Sequence, residues 1–308
     1  MTLVLRTRQL TKAYGGETVV SDVNMNVRSG EIYGFLGPNG AGKTTIMKMI
    51  TNLVQPTAGE IEVFGEIVKP NSYELLKRMS SIIEYPIFYE KLSAWQNLEL
   101  HAAYTGTHNP TAISKALEAV NLTNVEEKPV KEFSLGMKQR LGIARAIMTK
   151  PELLILDEPV NGLDPVGMLE IRDLFINLSR HYGVTILVSS HILGQIEQIA
   201  DTIGVVKDGR LLEEMSLDKI KTSQSEHVEM SVSNYAKAAT VLEQVLNITN
   251  YQVREEQGLI TIYDNRISQS MINQAMVQNG IDVESITKKN MSLEDHFLTL
   301  IEGEKQHA

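Results

Sequence analysis

The fold of this 308-residue sequence is decided by the stretch Gly37-Pro38-Asn39-Gly40-Ala41-Gly42-Lys43-Thr44, which fits the phosphate-loop pattern G-x-x-x-x-G-K-S/T. An apolar, β-rich segment (31–37) precedes this loop and a helix-like segment (44–53) follows it, as the pattern requires. Glycines in such a loop let backbone N–H groups converge on phosphate oxygens, and the start of the helix adds positive charge. We therefore expect Lys43 to reach the β- and γ-phosphates of a nucleotide and Thr44 to place its hydroxyl on Mg²⁺.

A second motif is the apolar run 153–156 followed by Asp157, Glu158 and Pro159. A buried strand that ends in a carboxylate delivers it to the carboxyl edge of a parallel sheet, beside the phosphate loop. There Asp157 would hold Mg²⁺ through water, and Glu158 would accept a proton from the attacking water. Taken alone, the run is equally consistent with a strand that ends in a solvated acidic turn. Together with the phosphate loop, it predicts a nucleotide hydrolase.

A third segment, Phe133-Ser134-Leu135-Gly136-Met137-Lys138-Gln139-Arg140, precedes a helix-like stretch. Ser134 is predicted to cap that helix, whose N-terminus would then be able to hold an anion. Taken alone, this segment reads as an ordinary capped helix.

The order of the remaining elements predicts an α/β fold in two parts. Strand-like runs at 153–156 and 185–189 flank a helical stretch at 166–180, which is typical of a parallel α/β sheet. Residues from about 73 to 150 are mostly helical in pattern. From about residue 223 the order becomes βαββαβ, ending in a helix over 293–301. This order predicts a small α+β, ferredoxin-like C-terminal domain.

Composition excludes several classes of protein. The chain has no cysteine, which excludes disulfide scaffolds and cysteine-based metal sites. No apolar run reaches the roughly 18 residues of a membrane-spanning helix, so we expect no transmembrane segment. The formal charge of −9 disfavours non-specific nucleic-acid binding, and the C-terminal part is itself acidic. We therefore expect no nucleic-acid partner.

With these three motifs in this order, the sequence resembles an ATP-binding-cassette (ABC) ATPase, the nucleotide-binding subunit of a membrane transporter. The resemblance covers about residues 2–220. It implies an ABC ATPase domain over 1–222, with a helical subdomain at about 85–150, and an accessory domain over 223–308. The expected cofactors are ATP and Mg²⁺.

The resemblance also implies roles for individual residues. Tyr14 matches the aromatic residue that stacks on adenine, and His191 matches the histidine that contacts the γ-phosphate. Ser134 and Gly136 match the signature segment, usually Leu-Ser-Gly-Gly-Gln, and Asp164 lies in the loop that meets the partner subunit. The implied catalytic residues are Glu158, His191, Lys43 and Glu84, and the implied metal ligands are Thr44, Asp157 and Glu84. The implied nucleotide contacts are Tyr14, Gly37, Pro38, Asn39, Gly40, Ala41, Gly42, Lys43, Thr44, Thr45, Ser134, Gly136, Met137 and Asp164.

Two departures from the family pattern stand out. The family usually places Gln at the position of Glu84, where it touches the catalytic metal and senses the transport partner. Glu can still offer oxygen to Mg²⁺ but adds negative charge, so either Mg²⁺ neutralises it or its pKa rises. A tolerated exchange that changes little is the plainer alternative. In the signature segment, Leu135 and Met137 replace Gly and Gln, whereas the serine and second glycine remain.

These departures, with the added C-terminal domain, resemble transporters that protect bacteria from peptide antibiotics. Bacitracin-resistance subunits are the nearest match and lantibiotic-immunity subunits come next. The resemblance implies a homodimer that holds ATP between the 37–45 loop of one subunit and the 134–137 segment of the other. It also implies a separate permease, for which the apolar stretch 85–89 is the candidate dock, and a peripheral location on the cytoplasmic face of the membrane. The alternatives are a soluble cassette ATPase acting on ribosomes or DNA, and a nucleotide kinase or switch GTPase.

Overall fold

The computed structural model describes residues 2–106, 109–218, 226–254, 258–264 and 266–290, together with 297 and 300. The chain divides into two compact units, Met1–Leu217 and Asp218–Ala308.

The first unit contains two β-sheets and the helices that pack on them. Its strands are β1 (Leu3–Tyr14), β2 (Glu17–Val23), β3 (Asn26–Arg28), β4 (Ile32–Leu36), β5 (Ala58–Val63), β6 (Glu66–Ile67), β7 (Met79–Ile82), β8 (Leu153–Leu156), β9 (Thr185–Ser190), β10 (Thr202–Lys207) and β11 (Arg210–Ser216). Its helices are α1 (Lys43–Ile50), α2 (Tyr73–Leu76), α3 (Ala94–Thr105), α4 (Pro110–Ala119), α5 (Leu135–Ile147), α6 (Pro165–Tyr182) and α7 (Leu193–Glu197), with a short 3₁₀ turn at Val130–Glu132.

The central sheet has the strand order β11-β10-β4-β9-β8-β7. All neighbouring pairs are parallel except β10 and β11. Every residue of β8 and β9 is buried, which explains why both read as continuous apolar runs in the sequence. Because the strands are parallel, the segments that follow β4, β7, β8 and β9 all emerge at one edge of the sheet. The predicted α/β fold is confirmed, and this edge carries the candidate site.

A second, antiparallel sheet has the order β2-β1-β5-β6, with β3 also pairing with β1. Residues 17–28 form two separate strands, β2 and β3, which pair with different halves of β1. The break lies at Asn24, whose side chain accepts a hydrogen bond from the Gln9 N–H (2.8 Å) and donates to the Asp22 carbonyl (3.0 Å). Helix α1 packs with both sheets in one apolar core that includes Leu10, Phe35 and Met47.

Helices α3, α4 and α5 pack on one another within residues 94–147. Each begins at a side-chain cap that the sequence supplies. Ser93 forms a capping box with Gln96, Asn109 caps α4 ahead of a proline, and Ser134 caps α5 as predicted. These caps determine where α3, α4 and α5 start, and Ser134 therefore lies at the N-terminus of α5.

The second unit contains β12 (Glu226–Val232), α8 (Tyr235–Gln244), β13 (Tyr251–Arg254), β14 (Leu259–Ile262), α9 (Gln269–Gln278) and β15 (Val283–Asn290). Its sheet order is β13-β14-β12-β15, and all neighbouring strands are antiparallel. The predicted βαββαβ order is therefore observed as far as β15. The helix predicted over 293–301 lies outside the described residues, apart from Phe297 and Leu300. Within the described residues of both units, no helix is long and apolar enough to cross a membrane.

Candidate nucleotide site

The phosphate-loop stretch forms the connection between β4 and α1. A Cβ added to Gly37 would lie 2.1 Å from the Val206 carbonyl oxygen, so the close approach of the two backbones requires glycine there. The Lys43 ammonium donates to the carbonyls of Gly37 (2.7 Å) and Pro38 (3.1 Å) and is therefore drawn over the loop. The other residues of the stretch divide into the exposed Pro38, Asn39 and Gly40, the buried Ala41, and the half-buried Gly42, Thr44 and Thr45.

Asp157 directly follows β8 and is only 5% exposed. One of its carboxylate oxygens accepts from the Thr44 hydroxyl (2.8 Å) and the other accepts from the Ser189 hydroxyl (2.7 Å). Two adjacent hard oxygen ligands, on Thr44 and Asp157, suit Mg²⁺, which keeps several waters and takes few protein ligands. The described residues contain no group of three or more histidine, aspartate or glutamate side chains that could hold a metal ion.

Glu158 adopts a left-handed backbone conformation, with a φ of 48°, that is uncommon for a residue with a side chain. Its carboxylate lies between two nitrogens, 3.7 Å from the Lys43 ammonium and 3.0 Å from His191 Nδ1. Because an ionised carboxylate only accepts hydrogen bonds, His191 donates from Nδ1 in this pair. Burial lowers the pKa of Lys43, whereas the negative charges of Glu158 and Asp157 oppose that shift.

Ser189 is a further residue of this site, and none of the sequence motifs contains it. Its hydroxyl donates to Asp157 and accepts from the backbone N–H of Glu158 (2.9 Å), so one buried side chain fixes two neighbouring acidic residues. The available signal was a serine at the end of an otherwise apolar strand, two residues before His191. Hydrogen bonds through Ser189 join Thr44, Asp157, Glu158 and His191, and the ion pair with Glu158 adds Lys43, so that all five predicted residues form one cluster.

Glu84 follows β7 at the same edge of the sheet, but its side chain pairs with a lysine outside the cluster. Its φ is 63°, and its carboxylate lies 2.6 Å from the ammonium of Lys48, where this hydrogen bond raises the pKa of Lys48. We expected either Mg²⁺ or a raised pKa to balance the charge of Glu84. The structure shows a further balancing charge, a lysine on α1 that lies four residues after Thr44 and so on the same helix face. That spacing is the sequence signal that could have predicted a role for Lys48.

The other predicted site residues lie apart from this cluster, with no hydrogen bond or ion pair to it among the described residues. Tyr14 is half-exposed at the end of β1, with the Lys12 ammonium 4.8 Å from its ring centroid. Ser134 Oγ accepts from the backbone N–H of Met137 (3.2 Å), and Asp164 caps α6. Gly136 lies in the first turn of α5.

Comparison with known proteins agrees with this geometry. The family model described as ABC transporter matches residues 20–161. An uncharacterised ABC transporter ATP-binding protein, YcbN of Bacillus subtilis (strain 168), is 57% identical over 98% of both chains. The bacitracin transport ATP-binding protein BcrA of Bacillus licheniformis is 47% identical over 98% of this chain and 99% of its own. The lantibiotic transport ATP-binding protein SrtF of Streptococcus pyogenes is 45% identical over 70% of this chain and 92% of its own.

The fold has solved counterparts as well. The dimeric, post-hydrolysis structure of the ATP-binding cassette MJ0796, bound to ADP and Pi, is 26% identical with a TM-score of 0.63, over 69% of this chain and 98% of that one. One assignment follows from the phosphate loop, from the carboxylates after β8 and from the relatives that match over the whole chain. The chain belongs to the ABC transporter family, as one of its ATP-binding subunits with ATPase activity.

Proposed function

We propose that this chain hydrolyses ATP for a membrane transporter that exports or removes a peptide antibiotic of the bacitracin or lantibiotic class. The observation that carries the hydrolase half is Glu158, held between Lys43 and His191 next to the buried Asp157. The substrate half is supported by BcrA, whose similarity to this chain extends through the second unit.

The residues of the cluster divide the chemistry among them. Mg²⁺, held by Thr44 and Asp157, would neutralise charge on the β- and γ-phosphates when bound. Lys43 turns its ammonium from the loop carbonyls to the phosphate oxygens, which is a stronger, charge-assisted contact. Glu158 accepts the proton of the attacking water, and His191 orients that carboxylate. Ser189 holds the backbone of Glu158 in place, so the base is positioned before ATP arrives.

The site is proposed to be completed by a second copy of the chain. The Ser134 cap leaves the N-terminus of α5 able to bind an anion, yet none of the described contacts connects it with Lys43 of the same chain. In a head-to-tail homodimer, the 134–137 segment of one subunit would close over the ATP on the phosphate loop of the other. Closure by ATP and opening after hydrolysis would then drive the transport cycle.

A separate permease is the proposed membrane partner, placing this chain at the cytoplasmic face of the membrane. The 85–89 stretch exposes Tyr85, Ile87 and Tyr89, which is an unusual concentration of large apolar side chains on a surface. Phe88 is half-buried against Arg145 instead, so substituting it would disturb internal packing. Ile87→Asp is therefore expected to uncouple the permease without disturbing the contact of Phe88 with Arg145.

We propose further that residues 223–308 form a ferredoxin-like accessory domain that stabilises the homodimer. Its observed strand order places β14 between β12 and β13, which is the arrangement of a split βαβ motif. Its apolar core, centred on Met230, Leu242 and Ile260, consists only of residues of the second unit.

The test uses tagged Glu158→Gln, expressed in the native cell and purified from mildly solubilised membranes with ATP and Mg²⁺. This substitution keeps the shape of the side chain and removes the base, so the ATP-bound dimer should accumulate. Glu152→Gln is the matched control, because Glu152 pairs with Arg78 just before the opposite end of β8. An integral membrane protein at near-equal abundance, enriched over the control, is expected. Recovery of ribosomal proteins or nucleic acid without a membrane protein would overturn the proposal and favour the ribosome- or DNA-acting alternative.

A further inference from the structure

A pocket lies between helices α6 and α7 of the first unit. It encloses about 350 Å³, which is within the range of small-molecule sites, and Met168, Phe175 and Ile196 are among the apolar side chains that form most of its lining. Phe175 and Ile196 are buried, whereas Leu169 and Ile192 are 48% and 44% exposed. The pocket is therefore apolar inside and open to solvent on one side.

The pocket adjoins the segments that carry two residues of the nucleotide site. Its wall includes Pro159, which directly follows Glu158, and Ser190, which directly precedes His191. The described lining contains no residue of the 37–45 loop. A molecule bound here would therefore contact the backbone segments of Glu158 and His191 without competing for the positions of the phosphates.

Two side-chain contacts join the two helical walls of the pocket. Arg172 of α6 donates from Nη1 to the side-chain oxygen of Gln198, just after α7, over 3.1 Å. Gln195 of α7 directs its amide nitrogen at the sulfur of Met168, 3.9 Å away. This second contact is weak, because a thioether sulfur is a poor acceptor. Among the described residues, the amide N–H groups of Gln195 therefore have no oxygen or nitrogen acceptor.

The oxygen of the same amide is already used. It accepts from the Ser190 hydroxyl (2.8 Å), which in turn accepts from the backbone N–H of Ile192 (3.0 Å). These two bonds fix the orientation of the amide, so its N–H groups stay directed toward Met168 in the lining. Gln195 is thus a fixed hydrogen-bond donor at the edge of an apolar space.

The charge of the lining disfavours an ionic ligand. Arg172 is the charged residue of the described lining, and its Nε and Nη2 each lie 3.0 Å from the Asp173 carboxylate, which balances the guanidinium. An ionised ligand would lose its water of hydration here without gaining an unpaired opposite charge, which is costly. A neutral ligand with one acceptor is the better complement, because it offers the Gln195 N–H groups an oxygen in place of a sulfur.

We propose that this pocket is an effector site, which binds a neutral, mainly apolar small molecule that carries a carbonyl oxygen for the Gln195 amide. Burial of the apolar body would supply most of the affinity, and the amide would select for the acceptor. The site is distinct from the nucleotide site, so such a molecule would bind together with ATP.

The expected effect on hydrolysis rests on the proposed roles of Glu158 and His191. When ATP arrives, Lys43 leaves Glu158 for the phosphates, and the pair of Glu158 with His191 has to rearrange around the new ligand. A molecule held against Pro159 and against the backbone beside His191 would hinder that rearrangement. The effector should therefore lower kcat and leave the KM for ATP nearly unchanged.

Benzophenone is the probe for this site, because it is neutral and apolar and has one carbonyl oxygen. Its matched control is 1,1-diphenylethylene, in which a methylene group replaces that oxygen. Ligand-observed NMR with the full-length, nucleotide-free chain should show that benzophenone binds about two- to tenfold more tightly than the control. Equal binding of the two compounds, or no binding of benzophenone, would overturn the proposal.

Benzophenone also reports where it binds. Under near-ultraviolet light its carbonyl oxygen takes a hydrogen atom from a neighbouring C–H group, and the two carbons then join. Mass spectrometry should place this label on a residue of the lining, with Met168 beside the Gln195 amide as the expected position. A label found only outside the lining would show adventitious binding and overturn the proposal.

Gln195→Glu tests the donor. This substitution keeps an oxygen for the Ser190 hydroxyl and removes the N–H groups, so the preference for benzophenone over its control should disappear. Gln198→Glu is the matched variant, because it adds the same charge to the lining but keeps the acceptor of Arg172, and the preference should remain. Thermal unfolding verifies that both variants fold. A preference that persists in Gln195→Glu would overturn the assignment of the donor.

Steady-state ATP hydrolysis separates the effector site from the proposed function. At saturating benzophenone, kcat should fall by about twofold or more while the KM for ATP changes by less than about twofold. If benzophenone labels the pocket but kcat stays unchanged, the effector role fails. If Glu158→Gln hydrolyses ATP as fast as the original chain, the proposed base is wrong, and that result does not depend on whether benzophenone binds.

Discussion

Replacing Ser189 by alanine tests whether one hydroxyl positions both acidic residues of the candidate site. Ser189 is fully buried, and its hydroxyl bonds Asp157 Oδ1 and the Glu158 N–H at 2.7 and 2.9 Å. Alanine removes the hydroxyl with little change of volume, so the cavity cost is small. Two buried polar groups then lose a partner, at about 1–3 kcal/mol each. We expect the free energy of unfolding to fall by about 2–6 kcal/mol.

The catalytic effect follows from the geometry of Glu158. Its strained backbone at a φ of 48° depends on surrounding contacts, and the Ser189 hydroxyl is one of them. A displacement of about 1 Å in a catalytic group can cost up to about 100-fold in rate, so we expect kcat to fall by about 10- to 100-fold. The assays are steady-state ATP hydrolysis at saturating Mg²⁺ and ATP, and thermal unfolding, where each kcal/mol corresponds to about 2–4 °C for a unit of this size.

Ser190→Ala is the matched control for this experiment. Ser190 is also buried, but its hydroxyl accepts from the Ile192 N–H (3.0 Å) and contacts Gln195 (2.8 Å) rather than either acid. The Ser190→Ala variant should therefore be less stable but keep most of its kcat. If both variants lower kcat equally, or if Ser189→Ala keeps the original kcat, the positioning argument for Ser189 is refuted.

Three further predictions concern other contacts. A double-mutant cycle of Lys48→Gln and Glu84→Gln should give a coupling energy of about 0.2–1 kcal/mol that falls with added salt, because Glu84 is exposed and Lys48 is partly exposed. A salt-independent value would contradict this. Gly162→Ala should destabilise the chain by about 1–3 kcal/mol, since its φ is 80° and the new Cβ would lie 2.5 Å from Leu135 Cδ2; adding Leu135→Ala should recover part of that loss in thermal unfolding. Removing the chain after Leu217 should leave ATP binding intact, because the core of the first unit is self-contained. The same truncation should weaken the ATP-dependent dimerisation of Glu158→Gln, measured by light scattering. Unchanged dimerisation would show that the second unit is dispensable for it.

Sequence patterns identified the strands that are buried on both faces and the elements with a clear hydrophobic periodicity. The four apolar residues of β8 and the strand at β9 were found because a parallel sheet buried on both faces requires continuous apolar runs. The hairpin of β10 and β11 was not assigned, although Asp208-Gly209 between two β-rich runs is a strong turn signal. The break between β2 and β3 could not be read from the sequence, because it depends on which half of β1 each strand pairs with.

The candidate site likewise has features that the sequence predicts and features that only the structure shows. Motifs place Lys43, Asp157 and Glu158 at strand and helix ends, and topology then brings those ends together at one edge of the sheet. Side-chain pairing is different, because it depends on local backbone angles and on distances between strands. The contact of Glu84 with Lys48 therefore became visible only in three dimensions, where a left-handed backbone at Glu84 turns its carboxylate toward α1.

Helix α5 connects the 85–89 stretch, the proposed permease dock, with the proposed second half of the ATP site. Ser134 caps its start, Lys138 pairs with Glu90 (3.1 Å) one turn later, and Arg145 bonds the Ile87 carbonyl two turns beyond that. Ser134 and Arg145 are eleven residues apart, which corresponds to about 16 Å along a helix. A helix moves as a stiff body, and α5 holds the loop through Ile87 and Glu90. A permease that displaces this loop should therefore displace Ser134 with it. One element can therefore carry both the docking of the permease and the closure over ATP, so altering α5 contacts should change transport coupling before it changes ATP binding at Lys43.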